Sequence, residues 1–239
     1  MKVDKAIKAT FNTNLIILNG FLVALLVGTI LLMLPVSSAS GNGTDFITAL
    51  FTATTSLCVT GLVVVPTYAY WSIFGKVIIL ILIQLGGLGI ISFTIGFLII
   101  IGKKISLKER KMIQESYNLD SAQGVLKILR KIFGITVKIE GIGAILYSIQ
   151  FIPEYGIVKG ICYSVFHSVS AFCNAGIDLV GESSFAPFVT NPLINVTTMG
   201  LIILSGLGFP VWWEVIEHVQ DLLKGKRTRK NSFFAKKYY

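Results

Sequence analysis

Charged side chains are scarce in this chain of 239 residues. Only 14% are Asp, Glu, Lys or Arg, while 54% are hydrophobic; an average soluble domain has about 25% charged residues. So few charges cannot cover the surface of a soluble protein of this size. Together with a mean hydropathy of +0.77, they point to an integral membrane protein and exclude an intrinsically disordered chain. Cysteine is equally sparse. Cys58, Cys162 and Cys173 are three in number with no CxxC spacing, which excludes a disulfide scaffold. Only His167 and His218 could join them, and without a CxxC spacing no zinc centre is expected. Catalytic signatures are missing as well. There is no HExxH, no P-loop lysine motif, no GxSxG and no complete GxGxxG, and the apolar stretches offer almost no converging polar groups, so an enzyme is not expected.

The charge that is present is unevenly placed. The net charge of +9 would suit nucleic acid or an anionic surface, but position argues for the membrane. Of the 21 Lys and Arg, three fall in residues 2–8, eight in 103–131 and seven in 224–237, leaving Lys76, Lys138 and Lys159 elsewhere. Basic blocks beside apolar spans follow the positive-inside rule. Residues 35–70 and 153–190 carry one Lys, Lys159, against Asp45, Glu154, Asp178 and Glu182. Both observations predict a multi-pass protein of the cell membrane with cytoplasmic N- and C-termini. The first apolar run is too long for the core of a cleavable signal.

Residues 15–34 form a run long enough to span, since 20 residues rise roughly 30 Å as a helix. Residues 45–56 are apolar, short and rich in Thr and Ala, which predicts a re-entrant helix capped by Thr44. Residues 57–66 are β-branched and read as extended. Residues 71–101 form the longest apolar run, with Trp71 at an interfacial position and Gly86, Gly87 and Gly89 in the middle. Residues 102–131 are basic and amphipathic. A span over 133–152 is predicted to end at Pro153, followed by a short apolar segment at 157–171, an irregular stretch at 172–179, and a span over 193–218 that contains Gly200, Gly206, Gly208 and Pro210. This organisation divides the chain into a span–pore–span unit at 1–101, a cytoplasmic basic connector at 102–131, a second unit at 132–219 and a basic cytoplasmic tail at 220–239.

The two units repeat in residues as well as in order. At an offset of 115, Phe51 matches Phe166, Cys58 matches Cys173 and Gly61 matches Gly176, while Thr55 and Ser56 match the small residues Ser170 and Ala171. At an offset of 119, Leu85, Gly87, Leu88 and Gly89 approximately match Leu204, Gly206, Leu207 and Gly208. Irregular backbone at membrane depth is tolerated only where it is buried in protein or lines a watery cavity. Two such loops suggest a lining of backbone carbonyls, which can replace the hydration shell of a potassium ion. Short helices would aim their C-terminal dipole ends at the cation, and Gly61 and Gly176 permit a left-handed backbone.

Residues 52–62 (Thr-Ala-Thr-Thr-Ser-Leu-Cys-Val-Thr-Gly-Leu) and 168–178 (Ser-Val-Ser-Ala-Phe-Cys-Asn-Ala-Gly-Ile-Asp) resemble the first and second pore loops of the Trk/Ktr/HKT potassium transporters, most closely the membrane subunit of the bacterial Ktr systems. The resemblance covers essentially the whole chain. It implies an all-α membrane fold of span–pore-helix–span units, four in the family and two here, with a potassium-channel-like pore. It implies a selectivity filter made by the backbone carbonyls of Val59, Thr60, Gly61 and Leu62 and of Asn174, Ala175, Gly176 and Ile177, with Cys58 and Cys173 supporting it from behind. It further implies inward potassium transport, often sodium-dependent, without a covalent cofactor, by a homodimer in the lipid bilayer regulated by a cytosolic nucleotide-binding ring of the KtrA type. Some HKT members that pass sodium carry serine at a filter glycine; both positions here keep glycine, which leans toward potassium. Two readings account for the missing units: a longer chain supplies them, or a second copy of this chain does. A non-conducting membrane scaffold is the rival from another class.

Individual residues admit plainer roles. Gly86, Gly87, Gly89, Gly206 and Gly208 read as helix-packing sites before hinges. Cys58 and Cys173 read as small apolar residues, since a soft-metal site needs more ligands. His167 reads as packed and hydrogen-bonded. Glu140 is the one acid near membrane depth, and its position near the start of a span favours the interface.

Overall fold

A computed structural model describes residues 2–89, 125–208 and 211. The basic connector up to residue 124, the far parts of the second spans and the basic tail lie outside the described residues. Those described are helical and form no strand, with one isolated bridge between Ser38 and Trp71. Helix α1 runs over Lys2–Met33, α2 over Phe46–Cys58, α3 over Thr67–Tyr70, α4 over Ile73–Gly87, α5 over Val125–Tyr155, α6 over Ile157–Phe172 and α7 over Pro192–Gly206. Short 3-10 turns occupy Pro35–Ser37 and Ala186–Phe188.

The helices pack in two sets. Helices α1, α2 and α4 touch one another, as do α5, α6 and α7, and α4 meets α6 between the sets. Among the described residues one helix, Arg130–Tyr155, is long and apolar enough to cross a membrane by itself. Leu18–Met33, Ile73–Gly87 and Pro192–Gly206 are apolar but shorter.

Helix boundaries follow local chemistry, and several differ from the sequence expectation. The cap of α2 is Asp45, not Thr44: the Asp45 carboxylate accepts the Thr48 N–H at 2.9 Å, and this bond holds its carboxyl below the usual range. Thr44 is buried instead and receives the Tyr70 hydroxyl at 3.3 Å. Leu57 and Cys58, read as extended, complete the last turn of α2. Pro153 does not stop α5, which runs on to Tyr155. Proline removes one donor, and so near a C-terminus it interrupts little; the Gly156 N–H still reaches the Ile152 carbonyl at 2.9 Å. Trp71 is 1% exposed, a core residue and not an interfacial anchor. Its neighbours explain this. Ser72 donates its N–H to Ser37 O and its hydroxyl to Val36 O, pinning the start of α4 against the turn after α1.

Within the described residues, the helices of the expected glycine-interrupted spans end at those glycines. Helices α4 and α7 both stop two residues before a left-handed glycine, Gly89 (φ 79) and Gly208 (φ 75). Leu88 N–H bonds Gln84 O, and Leu207 N–H bonds Ile203 O. These are helix C-caps in which glycine takes the left-handed position at little steric cost.

Helices α5 and α6 form a tight hairpin about Gly156. At Gly160 a Cβ would lie 2.7 Å from both the Ile152 Cα and the Phe151 carbonyl, so only glycine permits the approach. Tyr147, Phe151, Tyr163, Phe166, Phe185 and Phe188 surround the hairpin's inner face and enclose His167.

Candidate functional site

Each short helix, α2 and α6, ends in a loop with the same backbone signature. Val59 (φ 57) and Gly61 (φ 75) are left-handed after α2; Asn174 (φ 59) and Gly176 (φ 66) are left-handed after α6. The pairs correspond at the offset of 115. Left-handed backbone is natural for glycine and tolerated by asparagine, but uncommon for a β-branched residue. Val59 holds it because its N–H closes onto the Thr55 carbonyl and its side chain lies against Gly86.

The same hydroxyl position ties down each loop. Thr60 N–H donates to Thr55 O at 3.0 Å and Ala175 N–H to Ser170 O at 2.7 Å. The Thr55 hydroxyl then accepts the Leu62 N–H at 3.1 Å and meets the Thr60 hydroxyl at 2.6 Å. The Ser170 hydroxyl donates to the Ile177 carbonyl at 2.6 Å. Both hydroxyl residues are 3% exposed. By sequence alone Thr55 and Ser170 match only as small residues. Their shared hydroxyl at one repeat position was the signal for this role.

The two loops approach at their glycines. A Cβ on Gly61 would lie 2.7 Å from the Ala175 carbonyl, and one on Gly176 would lie 3.7 Å from the Gly61 Cα. In the second loop Ala175 and Ile177 are buried, while Asn174 and Gly176 are exposed; in the first, Thr60 and Leu62 are exposed. Beside the second loop lies a cavity of about 180 Å³ whose lining includes Tyr147, His167, Ser170, Asn174, Gly176 and Thr198.

Helix α4 receives both loops on adjacent glycines. Gly86 faces the Leu57 carbonyl and the Val59 side chain, and Gly87 faces Cys173; a Cβ at either would overlap these neighbours. Packing is therefore the role of Gly86 and Gly87, while Gly89 and Gly208 mark helix ends. In the second repeat Asn174 donates to the Ser205 hydroxyl at 2.9 Å, the counterpart of the Val59–Gly86 contact. Gly206, the counterpart of Gly87, is exposed, and its Cβ direction is open among the described residues.

The matched cysteines diverge. Cys173 is buried and its thiol donates to Gln84 Oε1 at 3.5 Å, whereas Cys58 is exposed at the end of α2. His167 is packed and hydrogen-bonded as expected. Its Nε2 accepts the Leu179 N–H at 3.1 Å, so Nδ1 carries the proton that goes to Tyr163 O at 2.6 Å. Through this ring α6 holds the chain two residues beyond the second loop. Glu140 departs from the interfacial expectation. It is 9% exposed and accepts from Gln84 Nε2 at 3.0 Å and 3.3 Å, because α4 places an amide opposite it. Among the described residues no cluster of three or more His, Cys, Asp or Glu could hold a metal ion.

A pair of backbone loops, each with two left-handed residues and a hydroxyl tether, offers oxygen ligands and no reactive side chain. Residues 2–236 match the TrkH family of cation transport proteins. The chain belongs to this family of membrane cation transporters. It is 43% identical over 234 residues to the potassium/sodium uptake protein NtpJ of Enterococcus hirae, covering 98% of this chain and 50% of that protein. It is 38% identical to the Ktr system potassium uptake protein B of Bacillus subtilis, covering 91% and 48%, and 39% identical to the protein of that name from Vibrio alginolyticus, covering 85% and 44%. The chain spans about half the length of these curated relatives. Its family carries ions and makes no covalent change to them, in keeping with the missing catalytic motifs.

Proposed function

We propose that this chain supplies two of the repeated units of a potassium uptake pathway, and that backbone carbonyls of Val59–Leu62 and Asn174–Ile177 replace the water of a dehydrated potassium ion. The observation that carries this reading is the matched left-handed pair in each loop. A left-handed residue turns its peptide relative to an extended neighbour. Two of them, two positions apart, can bring successive carbonyls to one side of the strand, where their dipoles compensate dehydration. The short helices α2 and α6 end at these loops, so their C-terminal dipoles favour a cation there.

In this reading α1, α4, α5 and α7 belong to membrane-crossing segments and α2 and α6 are pore helices. The termini and residues 102–131 face the cytoplasm, where the basic segments meet a nucleotide-binding ring of the KtrA type. Further units from a longer chain, or from a second copy, close the pathway beside Gly206, and the assembled protein is a homodimer. Sodium accompanies or competes with potassium, as the name of the Enterococcus hirae relative suggests for that protein.

Growth rescue tests the reading. The full-length protein carrying this chain is expressed in a bacterium lacking potassium uptake, on low-potassium medium. Growth that is lost with Gly61→Asp or Gly176→Asp supports it. Failure to support growth despite membrane insertion, with or without a KtrA-type partner, contradicts transport and favours the scaffold.

A further inference from the structure

Gln84 stands one helical turn before Gly87 on α4, on the face that receives Cys173. Its carboxamide is held from two sides. Nε2 donates to the Glu140 carboxylate on α5, and Oε1 accepts the Cys173 thiol at the start of the second loop. Both Glu140 side-chain oxygens face Nε2, so Glu140 sets which end of the amide faces it and thereby leaves the oxygen for the thiol. Asn174, the first left-handed residue, follows at once. A second bond binds the same region: the Ser168 hydroxyl, on α6, donates to the Glu140 backbone carbonyl at 2.6 Å. Gly143 leaves the room for that approach, since its Cβ would meet Ser168 Oγ. The chain Glu140–Gln84–Cys173 therefore joins α5 of the second repeat, α4 of the first repeat and the second loop.

We propose that Glu140, acting through Gln84, is a positioning residue that fixes the start of the second loop and so sets the ion preference of the pathway. The inference rests on the transport reading above. Glu140 itself touches no ion; it orients the amide that holds Cys173 in place. With both Glu140 oxygens facing Nε2, the amide is held in the orientation that presents Oε1 to the thiol.

The test is a reciprocal exchange in the full-length protein, read as rubidium uptake with sodium competition in potassium-uptake-deficient cells. Gln84→Glu sets two carboxylates against each other. It is expected to raise KM for the ion and to lower the preference over sodium, each by about tenfold or more. Gln84→Glu with Glu140→Gln restores every donor and acceptor with the roles exchanged, and is expected to return both quantities to within about threefold of the unsubstituted protein. Glu140→Gln alone keeps shape and volume but frees the amide to flip, and is expected to lower ion preference with little change in maximal rate. This variant keeps the question open to refutation even where Gln84→Glu fails to fold. If Glu140→Gln leaves KM and the preference over sodium unchanged, or if the exchange fails to rescue a folded Gln84→Glu protein, the positioning role is overturned while transport stands. If the unsubstituted protein takes up no rubidium, the transport reading falls and this inference with it.

Discussion

Thr55 and Ser170 occupy the same position in the two repeats and tether the same backbone position, Leu62 in one loop and Ile177 in the other, by opposite means. Thr55 accepts a backbone N–H and Ser170 donates to a backbone carbonyl. Each hydroxyl therefore fixes the residue just beyond the loop glycine. Removing the Ser170 hydroxyl leaves the carbonyl of buried Ile177 without its donor, a loss of about 1–3 kcal/mol, and removing the Thr55 hydroxyl takes the acceptor from the N–H of exposed Leu62. Thr55→Val and Ser170→Ala are expected to raise KM for potassium or rubidium about tenfold, and Thr55→Ser is expected to be mild. Uptake kinetics over a range of ion concentrations check this; unchanged KM in both Thr55→Val and Ser170→Ala would contradict the tether.

The two loop glycines should not be equally sensitive. Both have positive φ, so any side chain costs about 1–2 kcal/mol of backbone strain. Gly61 carries a second penalty, because its Cβ would meet the Ala175 carbonyl at 2.7 Å, whereas the Cβ of Gly176 stands 3.7 Å from its nearest neighbour. Gly61→Ala is expected to lower uptake more than Gly176→Ala. Parallel uptake assays at matched membrane levels decide it, and the reverse order would contradict the packing of the two loops.

Gly87 and Gly206 make a second contrast. Alanine at Gly87 overlaps Cys173, and overpacking of this kind costs about 1–3 kcal/mol. Alanine at Gly206 meets open space among the described residues. In detergent, a melt of the purified chain should fall with Gly87→Ala and hold with Gly206→Ala. In the full-length protein Gly206→Ala should impair uptake, since the proposed pathway closes against that face. Normal uptake in Gly206→Ala would place the further units elsewhere.

His167 should matter through geometry. His167→Phe suits the surrounding rings but deprives the Leu179 N–H of its acceptor and Tyr163 O of its donor. A loss of about 1–3 kcal/mol is expected, seen as a lower melting temperature together with a higher KM. A change in melting temperature alone would confine His167 to the hairpin.

Much of this arrangement is legible in the residues. The short apolar runs at 45–56 and 157–171 mark α2 and α6 within two residues of their ends, and the offset of 115 pairs Gly61 with Gly176. What escaped reading depends on partners from distant parts of the chain. Glu140 is buried because Gln84, 56 positions earlier, meets it; no local pattern states that. Trp71 is buried because Ser72 is fastened to the turn after α1. The tethers of Thr55 and Ser170 depend on their hydroxyls, which a match by size does not weigh. Cys58 and Cys173 match in sequence yet diverge in burial, since α4 packs Gly87 on Cys173 itself but packs Gly86 on Leu57 and Val59, the neighbours of Cys58.

The central claim is that backbone oxygens of the two loops hold the ion. Anomalous diffraction from crystals of the full-length protein soaked in thallium, a heavy stand-in for potassium, tests it most directly. The account expects a thallium peak bounded by the carbonyls of Val59–Leu62 and Asn174–Ile177, weakened by excess potassium and lost in Gly61→Ala. Peaks elsewhere, with none between the loops in protein that still transports, would contradict it.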